Sequence, residues 1–408
     1  MNILLINHYA GSREYGMEYR PYYLAREWQR LGHRVRIVAA SCSHLRIKPP
    51  KLTGTITEEN IDGISYVWLK TPGYRGNGAR RAINMFAFVG QLFRHARWLI
   101  KNQKPDVIIA SSTYPLDTLP ARFMARRCGA RLVYEVHDLW PLSPIELGNM
   151  SPRHPFIRLM QWAEDYACRS VDRVVSMLPN AQIHLQEHGM DAAKFAYVPN
   201  GIAIDEWERG ASPLPETHSA TLRTLHESGQ FVLGYAGGHA VSNALEFLMQ
   251  AARLVADQRV TLVLVGDGAE KTNLVGQAKA LNLRNVIFLP AVSKNVVPAL
   301  LREMDALYIG WQNKPIYRFG VSPNKVFDYM MASKPVIHSV NASNDVVAES
   351  GCGITVPPEN PEAIAEAIRQ LAFMSENQRE ELGQRGRNHV LKHHDYRVLA
   401  QRFLEGLI

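Results

Sequence analysis

Lys325 and Asp328 stand three residues apart in the segment Phe319-Gly-Val-Ser-Pro-Asn-Lys-Val-Phe-Asp-Tyr-Met-Met-Ala-Ser-Lys-Pro-Val-Ile337. On a helix this spacing puts both side chains on one face. Pro323 suits the first position of such a helix, because its missing N–H would have no intrahelical partner there. The free amides and positive dipole end of a helix start attract anions, phosphate above all. Ser322, Pro323 and Asn324 would line that start, Lys325 would meet a phosphate, and Asp328 would meet ribose hydroxyls. Together they describe a site for a nucleotide diphosphate. Taken by spacing alone, the same pair also reads as a solvated surface pair worth roughly a few tenths of a kcal/mol.

Such a helix needs a scaffold, and the rest of the chain supplies an α/β pattern. Short apolar runs alternate with longer amphipathic segments, the mark of parallel sheets. The expected strands of the first half are 3–7, 35–39, 65–69, 106–110, 131–136 and 173–176. Those of the second are 231–236, 261–265, 286–289, 306–309, 336–339 and 353–356. Helix-length patterns fall at 20–31, 244–256, 296–302 and 361–374. A chain of 408 residues suits two or three domains. The join is placed in 198–207, with the polar stretch 208–228 as connector. The expected division is 1–200, 201–385 and a helical end segment 386–408. Each half reads as an open doubly wound sheet of Rossmann type, whose ligands bind beyond the carboxyl ends of the strands. Two facing sheets would enclose a cleft.

Further candidates lie just after expected strands. His137 follows 131–136, at a carboxyl end where active groups gather; it reads equally as a structural histidine bonded to a carbonyl. Asp138 beside it also suits a helix N-cap. The loop 11–20 carries Gly16, Glu18 and Arg20. Glycine there admits close approach of backbone to a ligand. Arg20 suits phosphate and Glu18 an acceptor hydroxyl, although both also fit a solvated first helical turn. The loop lacks G-x-G-x-x-G spacing, which argues against a dinucleotide. In the second half, Gly237, Gly238 and Asn243 follow strand 231–236, and Pro290 and Ala291 follow 286–289.

The 319–337 segment resembles the C-terminal signature of the retaining glycosyltransferases of family 4, which have the GT-B fold. Its form Ser322-Pro-Asn-Lys with Phe327-Asp-Tyr, and the element His137-Asp-Leu-Trp-Pro, resemble a WbuB-like branch of N-acetylfucosamine transferases over nearly the whole chain. The resemblance implies a nucleotide-sugar donor, UDP-linked, and a lipid-diphosphate-linked glycan acceptor in bacterial surface polysaccharide (O-antigen or capsule) or lipopolysaccharide biosynthesis. It implies that His137 touches the donor sugar, that the 11–20 loop lies over diphosphate and acceptor, and that backbone near Pro290 and Ala291 holds the base. It implies a front-face mechanism without a carboxylate nucleophile, and an end helix that crosses back to the first domain. No cofactor and no metal are expected, since no Asp-x-Asp pair is placed to hold one. The chain departs from the family pattern at three positions. The usual arginine and lysine of the 234–243 loop are replaced by Gly238 and Asn243, and the first signature glutamate by Gly320.

A net charge of +8 calls for an anionic partner. No zinc-finger, RNP-type or KH-type pattern is present, so nucleic acid is not expected. No run of about 18 apolar residues predicts a membrane span, the start reads as a strand rather than a signal peptide, and four scattered cysteines suit a reducing compartment. A cytoplasmic protein, peripheral on the inner face of the cell membrane, is the expectation. Residues 78–101 carry an apolar stripe of Met85, Phe86, Val89, Leu92, Phe93, Ala96, Leu99 and Ile100, with Phe88 and Trp98 off it among basic residues. Such a stripe packs on its own sheet, and the off-stripe aromatics suit an anionic membrane surface. Two rival readings share the architecture: a nucleotide-sugar 2-epimerase, and a non-catalytic sugar-binding or scaffold protein.

Overall fold

The computed structural model describes residues 1–74, 76, 78–209 and 211–407. The chain forms two compact units, 1–200 with 396–408, and 201–395. The first holds an eight-stranded sheet. Its strands are β1 (Asn2–Ile6), β2 (Arg34–Ala40), β3 (Ile56–Ile61), β4 (Ile64–Leu69), β5 (Val107–Ala110), β6 (Arg131–Val136), β7 (Arg173–Ser176) and β8 (Phe195–Tyr197). Their order is β3-β4-β2-β1-β5-β6-β7-β8, and every pairing but β3 with β4 is parallel. The second unit holds six parallel strands, β9 (Phe231–Ala236), β10 (Val260–Val265), β11 (Val286–Leu289), β12 (Ala306–Gly310), β13 (Val336–Ser339) and β14 (Gly353–Val356), in the order β11-β10-β9-β12-β13-β14.

Apart from the β3–β4 hairpin, both orders reverse direction once, at β1 against β5 and at β9 against β12. In doubly wound sheets the crevice beyond such a reversal is where ligands bind. The loops that leave β1, β5, β9 and β12 are therefore the ones with access to substrate. Near-continuous burial along β1 and β10 follows from helices covering both faces, as parallel sheets require.

The end segment expected at 386–408 divides at Asp395. Residues 386–393 complete the helix Glu376–His393 of the second unit, while the helix Tyr396–Leu404 joins the first. Residue 408 lies outside the described residues. The apolar face of this last helix explains its place. Trp28, fully buried in the helix Arg20–Arg30, sets its ring against Phe403 at 5.1 Å and donates from Nε1 to the Ala400 carbonyl at 3.0 Å. Tyr23 stacks on Tyr396 at 5.0 Å. Each buried aromatic of this kind contributes on the order of 2–3 kcal/mol.

Three expectations need correction. The polar stretch 208–228 is not only connector: it contains the helix Glu216–Glu227, whose Leu222 reaches the core of the second unit. Pro323 is the N-cap, with extended φ and ψ, and the helix runs Asn324–Met331. In the helix Ala79–Gln103, Phe88 is fully buried on the core stripe with Met85, Val89, Leu92, Ala96 and Leu99. Positions 85, 88, 89, 92, 96 and 99 share one face at 100° per residue. Phe86 and Phe93 sit on the shoulder instead and are exposed with Ile83. Trp98 is half-buried beneath the Arg36 guanidinium, 5.5 Å from its ring centroid.

Candidate functional site

In the second unit, the strand β9 ends at the glycine-rich turn Gly237-Gly238-His239, and the helix Asn324–Met331 opens beside it. Lys325 Nζ donates to Tyr235 Oη at 2.7 Å and to Asn243 Oδ1 at 3.3 Å, and lies 4.3 Å from the Tyr235 ring centroid. Tyr235 and the Asn243 amide donate in turn to the Gly238 carbonyl, at 2.6 and 2.9 Å. Lys325, Gly237, Gly238 and Asn243, remote in sequence, thus form one cluster. Asn243 takes no cation's place by charge, but its carbonyl oxygen helps to aim one.

Among the described residues, no carboxylate pairs with Lys325. Asp328, three residues on, makes no ion pair with it, so the surface-pair reading fails. Burial lowers the Lys325 pKa to about 8 and raises that of Asp328 to about 6, the latter opposed by the charge of Lys294. Both are half-buried, and a cation without a counter-ion among the described residues and a partly desolvated carboxylate are each unfavourable in isolation. Each is the complement of a ligand group: an anion for Lys325, hydroxyl donors for Asp328. No side chain caps the Asn324–Met331 helix, which opens after Ser322 and Pro323, so its first amides have no side-chain acceptor.

Gly237 makes the cluster possible. Its φ of +153° is a glycine conformation, and a Cβ there would stand 2.6 Å from Lys325 Cε. Gly237→Ala should displace the ammonium and lower kcat/KM about tenfold to a hundredfold, with steady-state kinetics on the donor as the check. Pro290 and Ala291 lie beyond β11, two strands from β9. The Pro290 carbonyl already accepts from His218 Nε2 at 2.9 Å, while Ala291 is exposed.

His239 was not singled out from sequence. It is fully buried at the end of β9, and neither ring nitrogen has a hydrogen-bond partner. Burial and the charges of Lys271 and Lys325 lower its pKa, with Asp267 opposing. Both nitrogens are therefore without a partner among the described residues, at the carboxyl edge of the sheet. The Gly-Gly-His run directly after a strand was the available signal.

In the first unit, polar groups gather at the carboxyl ends of β1, β5 and β6. His137 Nε2 lies 3.0 Å from Ser111 Oγ and 3.3 Å from Glu135 Oε2. Ser111 Oγ donates to Glu135 at 2.5 Å, so it accepts from His137, and Nε2 carries the proton. Burial opposes protonation of His137, but the charge and hydrogen bond of Glu135, helped by Glu18, raise its pKa. Glu135 is itself fully buried; Arg20, His137 and Ser111 overcome that burial and hold it at about 2.

Arg20 overturns its expected role. Its side chain is fully buried, and Nε pairs with Glu135 Oε1 at 2.8 Å. Nη1 and Nη2 donate to the carbonyls of Pro199 and Val198 at 2.6 and 2.9 Å. With Nη1 also 3.5 Å from Asn200 Oδ1, the buried guanidinium is turned to protein on every nitrogen rather than to a phosphate; it ties the first helix to β6 and to the end of the unit. Gly16 is likewise committed, exchanging both backbone bonds with Ser12 at 2.8 and 3.0 Å. Glu18 is half-buried, and its Oε1 accepts from the Arg20 amide at 3.3 Å.

Two doubly wound units of this kind are the GT-B fold. Residues 15–201 match a glycosyl transferase 4-like domain and residues 230–373 a glycosyl transferases group 1 domain, and the chain is a glycosyltransferase built from the two. It is 24% identical over 356 residues to WcaI of Escherichia coli K12, named for a colanic acid biosynthesis glycosyl transferase, covering 84% of this chain and 85% of that one. It is 22% identical over 300 residues to the glycosyltransferase WbjE of Pseudomonas aeruginosa, covering 72% and 71%. Among solved structures, Anabaena HepE in complex with UDP and glucose superposes with a TM-score of 0.68 at 16% identity, covering 100% of this chain and 99% of that one. WaaG, a glycosyltransferase of lipopolysaccharide biosynthesis, gives 0.65 at 16%, covering 99% and 98%.

Proposed function

We propose that the chain is a retaining, metal-independent transferase that moves a sugar from a UDP donor to a lipid-diphosphate-linked glycan in bacterial surface polysaccharide assembly. An N-acetyl-deoxyhexosamine is the donor sugar by likeness to the WbuB-like branch. The observation that carries the reading is the uncompensated Lys325 ammonium beside the uncapped start of the Asn324–Met331 helix. HepE with UDP and glucose, and the names of WcaI and WaaG, support the donor class and the setting.

In this reading the bond from the anomeric carbon to the β-phosphate oxygen breaks as the acceptor hydroxyl attacks from the same face. The acceptor's proton passes to the departing phosphate. Lys325 and the helix amides stabilise the charge that grows on that oxygen. Asp328 holds the ribose, and His137, kept in the Nε2–H form by Ser111 and Glu135, positions the donor sugar. Glu18 orients the acceptor hydroxyl.

The test is transfer from candidate UDP-sugars to lipid-linked glycan extracted from a polysaccharide-producing strain, with the product anomer assigned by NMR. Retained configuration supports the reading; inversion overturns it. Consumption of UDP-sugar without acceptor would favour the epimerase, and UDP binding without turnover the scaffold. Asp328→Ala should weaken UDP binding by about 1.5–3 kcal/mol. Calorimetry should find the same loss for UMP, because the ribose is common to both.

No described helix is long and apolar enough to cross a bilayer. Contact with an anionic membrane is assigned to Ile83, Phe86 and Phe93, exposed beside Arg80, Arg94, Arg97 and Lys101. The protein should float with phosphatidylglycerol vesicles at low salt, and Phe86→Ser with Phe93→Ser should abolish flotation.

A further inference from the structure

We infer that Glu164, His184 and His188 form a site for a divalent transition metal, zinc by its ligand set, that clamps the helix Ala181–Glu187 onto the helix Pro155–Ser170. His184 and His188 are four residues apart, one helical turn, with ring centroids 4.5 Å apart. Glu164 faces them from the other helix: His184 Nε2 lies 3.1 Å from each of its carboxylate oxygens. One ligand atom from each of the three residues falls within 4.8 Å of the others. Zinc bonds of about 2.0–2.1 Å in a tetrahedron put ligand atoms roughly 3.4 Å apart. The His184–Glu164 pair already meets this, and the His188 ligand atom lies within 4.8 Å of both. Two imidazoles and a carboxylate, with one position open, are ligands that suit zinc.

The hydrogen-bonding pattern itself shows a deficit that a cation would relieve. Gln161 Nε2 donates to Glu164 Oε2 at 3.0 Å and to Asp165 Oδ1 at 2.9 Å, and also lies 2.9 Å from His188 Nδ1. His188 Nδ1 lies 2.8 Å from Asp165 Oδ1. The two amide hydrogens of Gln161 are thus spent on Glu164 and Asp165, and two carboxylates and two imidazoles crowd around one neutral amide. Charge points the same way. The Glu164 side chain is fully buried, and among the described residues no lysine or arginine pairs with it. Among the described lysines and arginines, the neighbouring Asp165 pairs with Arg169 alone, at 4.0 Å and largely exposed. A divalent ion would neutralise both carboxylates, Glu164 as ligand and Asp165 as the group that fixes the His188 ring. The site lies on helices that contribute none of the proposed transfer residues, so it stands or falls separately from them.

The test uses the full chain, dialysed against EDTA and titrated with zinc chloride alone. One zinc should bind per chain and raise the melting temperature by about 5 °C. Cobalt should give the intense visible bands of four-coordinate Co(II). His184→Gln with His188→Gln should lose both responses, and that control matters because the chain has 15 histidines. A double variant that binds zinc like the wild type, or a wild type that shows no binding, overturns the inference. Should the double variant fail to fold, weak octahedral Co(II) absorption in the wild type overturns it and tetrahedral bands uphold it.

Discussion

Lys325→Ala lowers kcat about a hundredfold, the cost of losing one donor aimed at charge that develops in the transition state. The side chain has no carboxylate to neutralise it; its partners are a phenol, an amide oxygen and an aromatic face. Burial brings its pKa to about 8, so the ammonium is mostly charged at neutral pH and lost above. UDP affinity of the wild type should therefore fall as pH rises through about 8, and Lys325→Met should remove that dependence. Stability moves oppositely. A lysine whose folded pKa is depressed binds fewer protons folded than unfolded between about 8 and 10.5. Its fold is then more stable as pH rises through that window. Lys325→Met should flatten this slope and stabilise the second unit at neutral pH while destroying turnover. A structural lysine would show neither the kinetic loss nor the opposed signs.

Arg20→Ala should destabilise the first unit by about 3–5 kcal/mol, the usual result of stranding one member of a buried ion pair. Glu135 would lose its strongest opposing charge, and the carbonyls of Val198 and Pro199 their donors. Urea unfolding of the full chain, monitored by fluorescence of the first-unit tryptophans, is the measurement. The sign with pH is fixed by Glu135, whose folded pKa is lowered from 4.5 to about 2. In the wild type its contribution is present above pH 4.5 and lost as pH falls toward 2, so the deficit of the variant should narrow on acidification. A change in UDP affinity with unchanged stability would return Arg20 to the phosphate role that its sequence position suggested.

The parallel strands were legible because burial on both faces writes them as continuous apolar runs. β3 was not, since Ile56–Ile61, on an edge, sets four polar residues in a row between its two isoleucines. Yet its hairpin signal was present: Asp62-Gly63 is a two-residue turn with φ of +51° and +85°, as a type I′ turn requires. β8, at three residues, is too short for any periodicity. At the site, the helix start and Lys325 could be read from local spacing. The partners of Lys325 could not, because Tyr235, Gly237 and Asn243 meet it only through the pairing of β9 with β12. Arg20 and Arg46 show the limit most clearly. Both look like surface cations in sequence, and both are buried struts, Arg46 donating to the carbonyls of His8, Ala10 and Ala40 at 2.7–3.1 Å. Nothing local announces that a carbonyl cluster or a carboxylate 115 residues away will receive the guanidinium.

A structure of the protein with UDP bound tests the central claim most directly. The account predicts the β-phosphate on the amides that open the Asn324–Met331 helix, with Lys325 Nζ within hydrogen-bond reach and the ribose hydroxyls on Asp328. Diphosphate bound anywhere else on the chain, with that helix start left untouched, would contradict it.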